Sequence, residues 1–161
     1  MLKSVWKIHN PQPTLIKKFT MEKQIDFYFD LVSPYSYFAS MLIDDIARRV
    51  NTKVIWRPFL LGGVFKAVGT TEAPGLHPAK KPYLLKDLQR LSGHLKIPIK
   101  MPPDFPVRTV LAMRTLCGFN TDEIPQAAQT LYKAYWVNNQ DIADPEVVAS
   151  LVGRDAVERA G

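Results

Sequence analysis

The chain has 161 residues, of which 47% are hydrophobic and 22% charged, the balance of one ordinary globular domain and not of a disordered or fibrous chain. At this length about 70% of the unfolded surface can be buried, so a real core can form, and no apolar run approaches the roughly 20 residues of a membrane span. The net charge of +6 is dispersed among acids and apolar residues, with no basic stripe, zinc-finger spacing or phosphate-cradling glycine loop, so neither nucleic acid nor membrane is expected as a partner.

Cys117 is the only cysteine, so no intrachain disulfide and no Cys-x-x-Cys couple can form, and the chain cannot run dithiol–disulfide exchange by itself. A single thiol suits a reducing compartment, and a cytoplasmic location is expected. Helical spacing with Val110 and Met113 predicts Cys117 to be a small buried apolar residue. His9, His77 and His94 lie far apart, without zinc-ligand spacing, and no metal site is expected.

Residues 1–20 read as a basic N-terminal extension, with Lys3, Lys7, Lys17 and Lys18, no acid, and no signal-peptide core. Taken as a transit peptide the extension would direct the chain to mitochondria, but it has no arginine and little serine. Residues 21–60 read as a β-α-β unit. Aromatic and β-branched residues alternate from Gln24 to Leu31, and the period then changes to three and four residues at Tyr35, Phe38, Leu42, Ile46 and Val50. Lys53 to Pro58 gives a second short strand. A β-α-β crossover implies parallel strands and an α/β fold.

Residues 61–161 read as a loop followed by an all-helical segment. The stretch from Leu60 to Lys81 is rich in Gly, Pro and Thr and is long for a connection without function. Helices are predicted at Pro82–Leu95 and Val107–Phe119, separated by the proline-broken run Ile97–Pro106. A third spans Ile124–Val137 with Leu131, Tyr132, Tyr135 and Trp136 as its buried face. A fourth starts at the Asp144-Pro145 cap, and a polar helical segment begins at Asp155. No later strand is read after it. A two-stranded sheet is marginal alone, so either the helices cover it, a partner supplies strands, or the chain is a shortened version of something longer.

The junction of strand and first helix carries the chemistry. Ser33 fits the N-cap and Pro34 the first helical position, so a hydroxyl stands at the helix tip where backbone N–H groups favour an anion. A capped helix without a ligand explains the same two residues.

Four blocks in order along the chain, Asp26-Phe-Tyr-Phe-Asp-Leu-Val-Ser-Pro-Tyr-Ser-Tyr37, Trp56-Arg-Pro-Phe-Leu-Leu-Gly-Gly-Val-Phe-Lys66, Pro82-Tyr-Leu-Leu-Lys-Asp-Leu88 and Tyr135-Trp-Val-Asn-Asn-Gln-Asp-Ile-Ala-Asp-Pro145, resemble the 2-hydroxychromene-2-carboxylate isomerase family. That family is similar to the kappa-class glutathione transferases, within the DsbA-like thioredoxin-fold superfamily. The resemblance implies a thioredoxin-like β-α-β unit with an inserted all-helical domain. It also implies C-terminal strands that this chain lacks, because family members continue past the position of Gly161 into a cis-proline segment that helps hold glutathione.

By resemblance the cofactor is glutathione, and Ser33 is the catalytic residue that hydrogen-bonds its sulfur. Ser33, Pro34, Tyr35 and Thr70 would contact glutathione, with Gly69-Thr70 standing where many relatives have Gly-Asn. Lys66 and Phe105 would contact a small aromatic carboxylate or other electrophile. A charge-assisted hydrogen bond of about 1.5–3 kcal/mol and a helix tip of about 0.3–1 kcal/mol would lower a thiol pKa by about one or two units. The resemblance leaves three functions open: a glutathione-dependent cis–trans isomerase, a kappa-type glutathione transferase, and a non-catalytic thioredoxin-like chain. A homodimer is a further expectation.

Overall fold

The computed structural model describes residues 23–70 and 77–161. The basic N-terminal stretch and the Pro74-Gly75 part of the long loop lie outside the described residues. Strand β1 (Gln24–Phe29) pairs in parallel with β2 (Lys53–Pro58), in a register that sets Phe27 opposite Trp56 and Tyr28 opposite Arg57. The alternation of β1 turns Ile25, Phe27 and Phe29 inward and leaves Gln24, Asp26 and Tyr28 outward. Phe27 and Phe29 meet the Trp56 ring at centroid distances of 4.9 and 5.3 Å, both near perpendicular, an arrangement that aromatic quadrupoles favour.

Between the strands run α1 (Pro34–Ser40) and α2 (Ile43–Arg49), where the sequence predicts one helix through Val50. The Ser40 hydroxyl donates back to the Tyr37 carbonyl at 2.7 Å. Met41 and Leu42 bond three residues back instead of four, which tightens the turn and breaks the helix. The break shifts the helical phase of α2 against that of α1, so Ile46 and Val50 face outward and Ala47 is buried.

A second departure is α3 (Leu61–Ala67), which forms inside the stretch read as loop. Beyond it come α4 (Lys81–Leu95), α5 (Val110–Cys117), α6 (Ile124–Trp136), α7 (Pro145–Val152) and α8 (Arg154–Glu158). Helix α5 starts three residues later than its periodicity predicts. Its buried side is Ala112, Met113, Thr115 and Leu116, which leaves Cys117 exposed and corrects the expectation of a buried thiol.

Helix α6 is the centre of the core. Leu131, Tyr132, Tyr135 and Trp136 are buried as the apolar period predicts. Two polar tips sew this helix to the end of β1: the Tyr132 hydroxyl donates to the Asp30 carbonyl at 3.2 Å, and the Trp136 indole N–H donates to the Leu31 carbonyl at 2.9 Å. These bonds satisfy carbonyls that the strand leaves behind in the core. Among the described residues no helix is long and apolar enough to cross a membrane.

Candidate functional site

A cavity of about 660 Å³ opens where the β1–α1 turn, α3, the start of α4 and the segment before α5 come together. Its size falls within the roughly 300–1,000 Å³ of small-molecule sites. Ser33, Pro34, Tyr35 and Phe105 all lie on its wall. Lys66 and Thr70 do not. Once α3 forms, its cavity side is Leu61, Gly62, Gly63 and Phe65, and Lys66 is turned away and exposed. Thr70 is exposed too, its N–H donating to the Phe65 carbonyl at 2.8 Å.

Ser33 is the N-cap of α1, with extended backbone at φ −87° and ψ 115°. Its Oγ accepts from the Ser36 N–H at 3.3 Å, and Pro34 occupies the first helical position. Among the described residues the Ser33 hydroxyl donates to no acceptor, so its own hydrogen is available to the cavity. Tyr35, half-exposed, donates its hydroxyl to Asp87 Oδ2 on α4 at 2.8 Å. Partial burial, then the bond to Asp87 and its charge, push the Tyr35 phenol up to about 12, so it stays protonated at neutral pH. Phe105 packs its ring 5.8 Å from Trp136, and the bond from Phe105 to Pro106 is cis.

A residue to which the sequence alone assigns no role organises the cavity. Asp30 is 1% exposed and also lies on the wall. Its Oδ1 accepts from the Val32 N–H at 3.1 Å and from the Thr109 hydroxyl at 3.1 Å, and its Oδ2 accepts from the Leu61 N–H at 2.8 Å. One carboxylate thereby ties together the Ser33 turn, the start of α3 and the start of α5. Its backbone carbonyl also accepts from the Ser33 N–H at 3.0 Å. The Asp30 to Val32 bond is an Asx turn, and an aspartate at the end of a strand three residues before a helix cap is the local signal for it. The bonds to Leu61 and Thr109 have no local signal.

Two cations complete the lining, Lys80 at the N-cap of α4 and Arg108 in the segment before α5. The rest of the wall is mostly apolar, including Val32, Leu60, Leu84 and Val110.

The sequence profile of the DSBA-like thioredoxin domain matches residues 24–160. The chain belongs to the DSBA-like thioredoxin domain family. Within that family it is 30% identical over 149 residues to glutathione S-transferase kappa 1 of Homo sapiens, covering 88% of this chain and 63% of the human protein. It is 33% identical over 86 residues to 2-hydroxychromene-2-carboxylate isomerase of Sphingobium xenophagum, covering 53% of this chain and 44% of that protein. A solved structure of a 2-hydroxychromene-2-carboxylate isomerase superposes with a TM-score of 0.71 at 23% identity, over 85% of this chain and 70% of that one, which shows the shared DSBA-like fold. The chain thus spans less than two thirds of the human relative's length.

Proposed function

We propose that the cavity binds glutathione beside Ser33 and that the chain acts as a glutathione-dependent cis–trans isomerase of the 2-hydroxychromene-2-carboxylate isomerase type. The observation that carries this reading is the Ser33 hydroxyl, which is held by the Ser36 N–H and keeps its hydrogen free on the wall of a cavity of small-molecule size. The lining suits a thiol ligand in offering the Ser33 hydroxyl as donor, and because Cys117, the chain's one cysteine, belongs to α5 outside that lining, the reacting sulfur of this reading is the ligand's. When bound, glutathione supplies a thiol that adds to a conjugated double bond and leaves after rotation about the resulting single bond.

The chain's own residues then have separate tasks. Ser33 would donate to the sulfur, a charge-assisted bond worth about 1.5–3 kcal/mol, which lowers a thiol pKa by about one or two units and populates thiolate at neutral pH. Pro34 and Tyr35 flank that position, and Tyr35 is held in place by Asp87. Phe105 offers an aromatic wall to the substrate. Asp30 fixes the turn from which Ser33 projects.

The test is Ser33→Ala. Calorimetry should still detect glutathione binding, while thiolate absorbance falls and turnover drops by about 10²–10³, the loss expected for one positioned donor. Unchanged turnover removes Ser33 from the mechanism. A kappa-type glutathione transferase is the second reading, favoured by the longer match to the human kappa enzyme. It would use the same Ser33 but release a stable conjugate, so product analysis with a halogenated nitroarene against a chromene carboxylate separates the two. A non-catalytic chain is the third reading, and the absence of any glutathione-dependent thermal shift would favour it.

A further inference from the structure

Lys80 and Arg108 reach the cavity from two elements far apart in sequence, and neither has a task in the glutathione site around Ser33. Among the described residues the ion pairs are Arg48 with Asp45, Arg57 with Asp26, and Arg154 with Glu146, none of which involves these two cations. Asp30, the carboxylate on the same wall, is committed through both oxygens to Val32, Leu61 and Thr109. Both residues are exposed, so water screens them on one side, while the mostly hydrocarbon wall reduces that screening on the cavity side and leaves a modest pull on an anion bound there.

We propose that Arg108, assisted by Lys80, is the specificity-determining cation of this cavity and holds the anionic end of a ligand whose flat apolar body lies against the wall. That role takes the place of the one expected from the sequence for Lys66: all three cations are exposed, but only Lys80 and Arg108 line the cavity. A guanidinium suits it, because its planar fork matches a carboxylate or sulfonate with two parallel hydrogen bonds. The inference rests on the cavity being the substrate site, but not on glutathione.

The experiment uses the full chain without glutathione and two fluorescent probes of similar shape. One is the anionic anilinonaphthalene sulfonate, and the other is uncharged phenylnaphthylamine. The wild-type chain should bind both, and only the sulfonate should weaken as salt is added. Arg108→Met should lower sulfonate affinity by about two- to fivefold, as for an exposed ion pair, and leave the neutral probe unchanged. Arg108→Lys should restore part of the loss, Lys80→Met should cost less, and Lys66→Met should change neither probe. Unaltered binding of the neutral probe shows that each variant is folded. Unchanged sulfonate affinity in Arg108→Met, equal loss of both probes, a loss caused by Lys66→Met, or a wild-type chain that binds neither probe would each overturn the proposal. A chain that keeps the Arg108-dependent preference but binds no glutathione would sink the glutathione-dependent function and leave this inference standing.

Discussion

Asp30→Ala tests whether one carboxylate holds the cavity together. Removing it strands the Val32 N–H, the Leu61 N–H and the Thr109 hydroxyl. A buried donor left without an acceptor costs about 1–3 kcal/mol. The Thr109 hydroxyl can rotate towards another acceptor, whereas the two backbone N–H groups cannot move, and both are only part-buried, so water recovers some of their loss. The expected destabilisation is therefore about 2–4 kcal/mol, a large share of the roughly 5–15 kcal/mol by which domains are stable. Asp30→Asn keeps the volume but turns an amide N–H₂ towards one of the donors, and about 1–2 kcal/mol is expected. Urea denaturation followed by circular dichroism measures both. Thr109→Val in a cycle with Asp30→Asn should show a coupling of about 0.5–3 kcal/mol. A loss below about 1 kcal/mol for Asp30→Ala at an unchanged denaturant slope, or no coupling to Thr109, refutes the reasoning.

Three further outcomes are expected. Trp136→Phe removes volume from a fully buried site and leaves the Leu31 carbonyl without its donor, so it should cost about 2–3 kcal/mol and lower the melting temperature by about 5–10 °C. Gly62→Ala should raise stability by about 0.5 kcal/mol, since a methyl group there meets nothing within 4 Å and only the glycine's helix penalty is removed; a measured destabilisation would show that the glycine serves the backbone. Burial, and for Tyr35 also the bond to Asp87, push the Tyr35 and Tyr135 phenols up to about 12 from an ordinary value of 10.0. Because the folded chain holds these protons more tightly, their stabilising contribution is complete below about pH 10 and disappears as pH rises towards 12. Replacing both tyrosines with Phe should flatten that alkaline decline, and an unchanged decline would refute the assignment.

Much of the frame is legible along the sequence because its causes are local. The two-residue period of β1, the Ser33 and Asp144 caps and the apolar stripe of α6 each lie within one short segment, and each is present as read. The misread parts have causes at a distance or in competition with the pattern. Helix α3 contains a glycine pair and lacks a cap of its own, and its first N–H is taken by Asp30 from 31 residues upstream. Ser40 interrupts the apolar period of the first helix by bonding back to Tyr37. The stripe Val110, Met113, Cys117 is a valid helical spacing, yet the face that meets the core runs through Ala112, Met113 and Leu116. The same logic applies to the site. Ser33, Pro34 and Tyr35 are neighbours in sequence and share a wall, whereas Asp30, Lys80 and Arg108 gain their meaning only from contacts that folding creates.

The stitch between the Trp136 indole and the Leu31 carbonyl gives the molecule a built-in optical gauge. The ring is anchored two residues before Ser33 and lies against Phe105, so it shares neighbours with whatever fills the cavity while remaining dry itself. Occupancy that tugs on the turn or presses on Phe105 alters the polarity around this indole. With Trp6 and Trp56, the chain's other two tryptophans, replaced by Phe, its emission colour would then report loading of the cavity without any attached label.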